Sequence, residues 1–282
     1  MTADALSGCP VLHSADEPRL DFGGTTPYED YVHAATLHDL QRPVTDEPLE
    51  RSFLVVTQVM ELYFGLLAFD LTYARDRLAG DDVRAATTAL HRCVLHVKAL
   101  RAAWLPIARM TPREFNAFRD ALGEGSGFQS AAYRQVEFLL GEKSASMLVP
   151  HRSVPAQHAE LSRALTEPGV YDAALALLAR RGHAVPDDVL NRDLTRPYAP
   201  SPAVEDVWAK IYATDEGELL RLGEALTDVA EEFTGWRHDH LMATRRAMGA
   251  KTGTGGSAGV SWLEKRARRD LFPELWTARS HV

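Results

Sequence analysis

Residues 219–259, LLRLGEALTDVAEEFTGWRHDHLMATRRAMGAKTGTGGSAG, decide how this chain is built. Leu219, Leu222, Leu226, Val229, Phe233, Trp236, His240, Ala243 and Ala247 follow one another at steps of three and four. That spacing places them all on one face of a single long amphipathic helix. His240 therefore points where a core residue points, while His238 projects elsewhere. A ring nitrogen turned toward a protein interior needs a partner. Two partners are open to it, an ordinary hydrogen-bonding group of the core or a metal.

The whole chain has 282 residues, 45% hydrophobic and 25% charged, a composition able to bury a sizeable core. Its formal charge of −8 argues against a nucleic-acid or acidic-membrane surface, which would need a basic stripe. An anionic substrate would need a local cation to hold it. The two cysteines, Cys9 and Cys93, make neither a disulfide framework nor a zinc knuckle and fit a reducing cytoplasm. The opening MTADALSGCPVLHSADEPRL lacks a basic leader and an apolar core, so no secretory signal is expected. No uninterrupted apolar run approaches membrane length, and cytoplasmic residence is the expectation.

Residues 1–25 carry no periodicity and are expected to be a flexible N-terminal segment, followed by one all-α domain over 26–282. Thr26-Pro27-Tyr28-Glu29 combines a hydroxyl cap, a first-turn proline and a glutamate three after the cap. It predicts a helix through Tyr31, Val32 and Ala35. Apolar stripes predict helices over about 49–78 (Phe53, Val56, Met60, Tyr63, Leu67) and 81–104 (Leu90, Cys93, Val97, Leu100, Trp104). Thr111-Pro112-Arg113-Glu114 opens a short helix carrying Phe115, Phe118, Arg119 and Leu122, and FQSAAYRQVEFLLG predicts another. Shorter helices between 155 and 198 break at Pro168, Gly182 and Pro186. Pro197 to Pro202 is a linker, and Ser201-Pro202 starts a helix through Tyr212. A last helix opens at Ser261-Trp262-Leu263-Glu264. No segment alternates with period two, so the fold class is all-α, a helical bundle with a small helical insertion.

The chemistry-bearing candidates each have a bland and a functional reading. Gly253, Gly255 and Gly259 follow a helix rather than a strand and lack a G-K-[S/T] ending, which excludes the nucleotide motifs. The loop is then a helix–helix connection, or one that closes over a ligand with its N–H groups and the Thr254 hydroxyl. His240 has no second and third ligand at zinc spacing. A lone axial histidine among aromatic and small residues suits haem iron, whose porphyrin supplies the other ligands. Arg119 beside Phe115, Phe118 and Leu122 either pairs with a structural carboxylate or clamps a substrate carboxylate. Phe53 and Thr57, four apart, can line one pocket wall, Tyr28 and Tyr31 read as core or interface, and Cys93 reads as packing.

Taken together, these segments resemble the tryptophan 2,3-dioxygenase family from about Tyr28 to Val282. The likeness is carried by Tyr28-x-x-Tyr31, Phe53-x-x-x-Thr57-Gln58 with Glu61-Leu62, and Phe118-Arg119-Asp120 through Ser126-Gly127-Phe128-Gln129-Ser130. Trp236-Arg237-x-x-His240 followed by KTGTGGSAG completes it. The resemblance implies a helical bundle of the tryptophan dioxygenase type with haem b, one per subunit. His240 would be the axial ligand of the haem iron, and Gly127 would lie in the cofactor site. Arg119 would hold the carboxylate of L-tryptophan, Thr254 would assist at the amino-acid end, and Phe53 and Phe115 would flank the indole. Tyr28 and Tyr31 would come from a neighbouring subunit, implying a homotetramer. Both atoms of O2 would be inserted across the indole C2–C3 bond, giving N-formylkynurenine.

The chain departs from the family's pattern where a distal histidine is usual and Thr57 stands instead. Indoleamine dioxygenases are similar in carrying a small hydroxyl residue there. Phe115 replaces a usual tyrosine, and Tyr63 a tryptophan. A pocket with more room and one directed donor fewer keeps two alternatives open. One is a substituted tryptophan as substrate. The other is a haem monooxygenase giving a 2-oxindole. A non-catalytic haem-binding scaffold is the third reading.

Overall fold

The computed structural model describes residues 18–214, 217–253, 256 and 258–282. Thirteen α-helices and no strand occur among the described residues, so the fold is all-α. Contacts divide the chain into two compact units, residues 1–42 and 43–282.

The first unit holds α1 (Pro27–Val32) and α2 (Ala34–Asp39). Thr26 caps α1 as its sequence predicts, its hydroxyl accepting from the Glu29 N–H at 3.1 Å. The helix does not continue to Ala35, however. His33 adopts a left-handed conformation (φ 53°) and turns its N–H onto the Glu29 carbonyl at 2.8 Å, which closes α1. Neither helix buries a residue, and Tyr28 and Tyr31 are 66% and 88% exposed. The expectation of flexibility for residues 1–17 lies outside the described residues.

The second unit is built on three long helices. Pro48 starts α3 (Pro48–Ala79), and a tight turn at Gly80–Asp82 reverses the chain into α4 (Val83–Ala103). Asp82 caps α4 by accepting from the Ala85 N–H at 3.0 Å. The third is α11 (Glu218–Met248), the helix of the opening stripe, which packs along α4. Leu67, Leu71, Leu90, Val97, Leu222, Leu226 and Phe233 fill the space between them and are almost wholly buried. Ion pairs set the register. Asp70 of α3 accepts from Arg92 Nε (3.1 Å) and pairs with His96 Nε2 (3.0 Å) of α4. Arg101 of α4 reaches Asp239 (2.8 Å) and Glu232 (3.0 Å), one on each side of Gly235 in α11. A side chain at Gly235 would meet that guanidinium at 2.6 Å. The glycine, worth about 1 kcal/mol less than alanine inside a helix, is thus what lets the clamp lie across α11.

Shorter helices close the bundle. The capping box at Thr111 and Glu114 forms in full and opens α5 (Pro112–Arg119), which ends in a tight turn at 120–122 before Leu122 can join it. The predicted single helix over FQSAAYRQVEFLLG is two elements, a turn at Gly127–Gln129 and α6 (Ala131–Leu139). Ser130 is extended and caps α6 through its hydroxyl, which is why the helix cannot run through it. α7 (Pro155–Thr166), α8 (Val170–Arg180) and α9 (Asp187–Leu190) respect the predicted breaks, and α10 (Pro202–Thr214) starts at the predicted proline. α12 (Val260–Ala267) begins one residue before Ser261, with Gly259 at its cap, and is not the last helix. Pro273 starts a further one, α13 (Pro273–Thr277).

No uninterrupted apolar run reaches membrane length, since Glu61 and Asp70 interrupt α3. Those charges apart, α3, at 32 residues, is long and apolar enough by length and composition to cross a membrane. Its Val56, Met60, Leu67 and Leu71 are buried against the bundle, and Val55, Leu62, Leu66 and Phe69 form an exposed apolar stripe on another side.

Candidate functional site

α11 carries His240 inward, as the stripe predicts, and the rings around it form one aromatic column. Trp104, at the end of α4, stacks on the imidazole with centroids 4.8 Å apart and planes 15° from parallel. Trp236, one turn before His240, lies 5.7 Å away and in turn meets Phe64 of α3 edge-on at 5.4 Å. Part of the imidazole surface is open, yet burial desolvates the ring enough to hold its pKa down at about 4. It is therefore neutral at pH 7. Among the described residues no hydrogen-bond partner reaches either ring nitrogen. A ring stacked on the face of an imidazole does not occupy nitrogens that lie in its plane, so both stay available. The buried indole nitrogens of Trp104 and Trp236 also lack acceptors. His238 points away and pairs with the Thr234 carbonyl of its own helix at 2.9 Å.

A second group of predicted residues gathers where α3 meets α5. Phe53 lies 6.0 Å from Phe115 and 5.6 Å from Phe118, which is almost wholly buried in the core. One turn along α3 from Phe53, Thr57 donates its hydroxyl to the Phe53 carbonyl at 2.9 Å. Its lone pairs remain, so toward a ligand it can only accept.

Arg119 answers neither of its two sequence alternatives directly. Among the described residues it makes no ion pair with a carboxylate. Its Nη2 donates to the Thr252 carbonyl at 2.5 Å, at the start of the glycine loop, while its buried Nε has no partner. Asn116, one turn earlier on the same face of α5, accepts from Lys251 Nζ at 3.1 Å. α5 thus latches the first stem of the loop with two contacts. The second stem lies close against the first. Gly259 has φ 61° and ψ −125°, a conformation open essentially to glycine alone, and an added Cβ would meet the Lys251 carbonyl at 2.4 Å. Thr254 lies outside the described residues.

Gly127 opens the turn before α6, with no atom within 4 Å of where a Cβ would sit. Tyr28 and Tyr31 belong to the N-terminal unit. Trp104 is the main residue that sequence reasoning undervalued. Its stripe position showed which way it faces, and only the packing of α4 on α11 shows what it faces.

A bundle with a desolvated, partnerless imidazole on one long helix, and an arginine-capped aromatic cluster on its neighbours, has the build of a helical enzyme. The family model described as tryptophan 2,3-dioxygenase matches residues 13–220 and 209–282. Tryptophan 2,3-dioxygenase 1 of Ralstonia nicotianae is 38% identical over 288 residues, covering 100% of this chain and 98% of that protein. The tryptophan 2,3-dioxygenase of Bordetella parapertussis is 40% identical over 274 residues, 96% of each chain. That of a Bradyrhizobium species is 39% identical over 277 residues, with 98% and 99% coverage. The chain belongs to the tryptophan 2,3-dioxygenase family.

Two glycines of the site make opposite demands on stability. Gly259→Ala is expected to lower the unfolding free energy by about 1–3 kcal/mol, because its conformation and its space both exclude a methyl group. Gly127→Ala, open on all sides and without a positive φ, should stay within about 0.5 kcal/mol of wild type. Urea denaturation of both variants checks the contrast, and equal midpoints would refute it.

Proposed function

We propose that this chain is a haem-dependent oxygenase that cleaves the indole C2–C3 bond of L-tryptophan with O2, giving N-formylkynurenine. The observation that carries the reading is His240, a neutral imidazole held inside an aromatic column with both nitrogens unengaged. A satisfied core histidine would have a hydrogen-bond partner. The residues present fit haem b, one per subunit. Phe64, Trp104 and Trp236 offer an apolar aromatic setting, and the residues one and two turns beyond His240 are the small Ala243 and Ala247. Two acceptorless indole N–H groups suit a group with a polar rim. The open space at Gly127 agrees with a flat group lying against that turn. His240 would hold the iron, and the bound haem would supply O2 activation.

The chain's own residues then bind and orient the substrate. Arg119 is aimed by the Thr252 carbonyl, and its guanidinium, which makes no ion pair among the described residues, would meet the α-carboxylate. Thr254 would assist at the same end. Phe53 and Phe115, with Phe118 between them, take the indole. Thr57, its proton committed to Phe53, accepts from the indole N–H and cannot act as a base. Tyr28 and Tyr31 are exposed on helices that bury nothing of their own, which supports their reaching a neighbouring copy in a homotetramer. The exposed stripe Val55, Leu62, Leu66 and Phe69 on α3 gives such copies an apolar surface to cover. A free, buried Cys93, its thiol pushed up by burial, agrees with a cytoplasmic protein.

Product mass after turnover in labelled O2 tests the reaction. Two label atoms in a product of ring-opened mass are expected. One atom would replace this reading with the 2-oxindole reaction that the missing distal histidine allows, and a haem spectrum indifferent to L-tryptophan would replace it with a binding scaffold.

His240→Ala should purify with little or no haem, and full haem content with an unchanged spectrum would refute the ligand assignment. The pH dependence is specific. A histidine titrating at its ordinary 6.5 would be about tenfold less available as the neutral ligand at pH 5.5 than at pH 8. With its folded pKa down at about 4, His240 stays neutral above that value, and only acid below it competes with iron. Haem titration of the apoprotein should therefore give affinities within about twofold between pH 8 and 5.5. A tenfold fall would overturn this.

Arg119→Ala should weaken L-tryptophan binding by about 2–5 kcal/mol, the range for removing one partner of a desolvated charge pair. Thr57→Val, which keeps the shape and loses the acceptor, should cost no more than about 1.5 kcal/mol. The two Michaelis constants check the ranking, and a wild-type value for Arg119→Ala would rule the clamp out.

A further inference from the structure

Beneath the site lies a cluster of charge that the reaction does not use. Glu137 and Glu142 are buried at 0% and 8% exposure, and Arg134, Arg237 and Arg266 close around them at 1%, 4% and 9%. Arg237 of α11 donates to Glu142 Oε1 at 3.1 Å and pairs with Glu137 at 3.3 Å. Arg266 of α12 donates to Glu142 Oε2 at 3.0 Å and pairs with Glu137 as well. Arg134 of α6 holds the other oxygen of Glu137 and reaches the Phe128 carbonyl at 3.4 Å. Arg237 also donates to the Arg266 carbonyl at 3.4 Å. Phe128 meets Trp262 of α12 edge-on at 5.7 Å, and the Arg266 guanidinium lies 5.6 Å over that same indole.

The elements joined here are the ones that carry the site. α11 holds His240 one turn beyond Arg237, α12 receives the chain as it leaves the glycine loop, and the Gly127–Gln129 turn precedes α6. Another buried carboxylate hub does no such thing. Glu274 accepts from Tyr171, Tyr198 and the Ser201 N–H, joining elements with no candidate site residue. Burying five ionised groups is costly, and replacing such clusters by apolar side chains is often neutral or stabilising. Stability alone therefore gives no reason for this one.

We infer that the shared carboxylates Glu137 and Glu142 make Arg237, Arg266 and Arg134 positioning residues, which fix the loop's second stem and the Gly127 turn relative to the His240 helix. Each arginine comes from a different element: Arg237 and Arg266 both reach the same two carboxylates, while Arg134 pairs with Glu137 of its own helix and reaches the Phe128 carbonyl of the Gly127 turn. A shift of α12 along α11 breaks paired charges out of water, so the allowed displacement is small. The loop is then held at one stem by Asn116 and Arg119 and at the other by this cluster. Its consequence for substrate rests on the tryptophan-oxygenase reading, whereas the pinning itself does not.

Arg266→Met separates the two. With three guanidiniums and two carboxylates in the cluster, loss of Arg266 leaves two of each, so no lone charge is stranded and the bundle should fold. Hydrogen exchange of the holoprotein is expected to speed up about tenfold or more in residues 249–253 and 260–267, with α3 and α4 as protected as in wild type. The Michaelis constant for L-tryptophan should rise about tenfold with kcat within about threefold, and Arg266→Lys should recover part of that loss. Exchange at the loop stems equal to wild type overturns the inference, as does a loss of protection spread evenly through α3 and α4. Should Arg266→Met fail to fold, the isosteric Glu142→Gln is judged by the same two exchange patterns. A wild-type protein inactive on tryptophan would remove the functional reading, while loosened stems would still establish the pinning.

Discussion

A half-buried imidazole with no hydrogen-bond partner among the described residues is the constraint around which this bundle is arranged. Aromatic packing holds it in place. Trp104 stacks on the ring, Trp236 flanks it, and Phe64, Tyr133 and Phe233 extend the column into the core. Arg101 then locks α4 to α11 across Gly235, so that the stacking partner and the imidazole cannot slide apart. The same packing that desolvates the ring holds its pKa down and keeps it neutral.

Local chemistry made the helices legible and stopped at their partners. The long stripes of α3, α4 and α11 could be read because one face repeats at helical spacing over many turns, and Thr26 and Thr111 could be read because capping is decided within four residues. His33 could not, since nothing about histidine announces a left-handed residue. Ser130 could not either, because a serine inside an apolar run is as compatible with a helix as with its cap. The site divides in the same way. His240, Phe53, Phe115 and Arg119 stood out through residue type and face. Trp104 passed as core because periodicity gives a direction and not a neighbour. The burial of Arg237 and Arg266 was invisible for a stronger reason: a charged residue on a helix reads as solvated until its partners are known, and theirs lie on α6 and the residues after it.

The glycine loop shows how a motif can be misjudged from its own letters. Judged alone, KTGTGGSAG is a connection with no nucleotide signature, and most of its glycines need no special explanation. What distinguishes it is its boundaries. Lys251 and Thr252 are gripped by α5, and Gly259 must lie so close to Lys251 that any side chain would collide. The conformational cost of ordering a loop grows only slowly with its length, so fixing the two stems removes much of the entropy that closure over a ligand would otherwise have to overcome. What the packing fixes is the base of the loop, where α5 grips Lys251 and Thr252 and Gly259 lies against Lys251.

On the proposed reading, the two ends of the substrate pocket differ in kind, and the difference limits the chemistry. At the α5 end, Arg119 has donors to spare and a carbonyl that fixes its direction, so it selects an anion. At the α3 end, Thr57 has spent its proton on its own helix and can only accept, so it suits an N–H donor and provides no base. Phe53, Phe115 and Phe118 lie with these groups and contribute no polar atom. A molecule matching all three regions carries a carboxylate, an aromatic body and a ring N–H. Such a pocket can orient that molecule and exclude water, but no described side chain in it could take a proton from the indole. Electrophilic attack on an electron-rich indole needs no strong base, so a pocket of this kind is sufficient provided that oxygen is activated elsewhere. On the same reading His240, on the helix that packs against α5 and without a partner among the described residues, would hold the group that activates it.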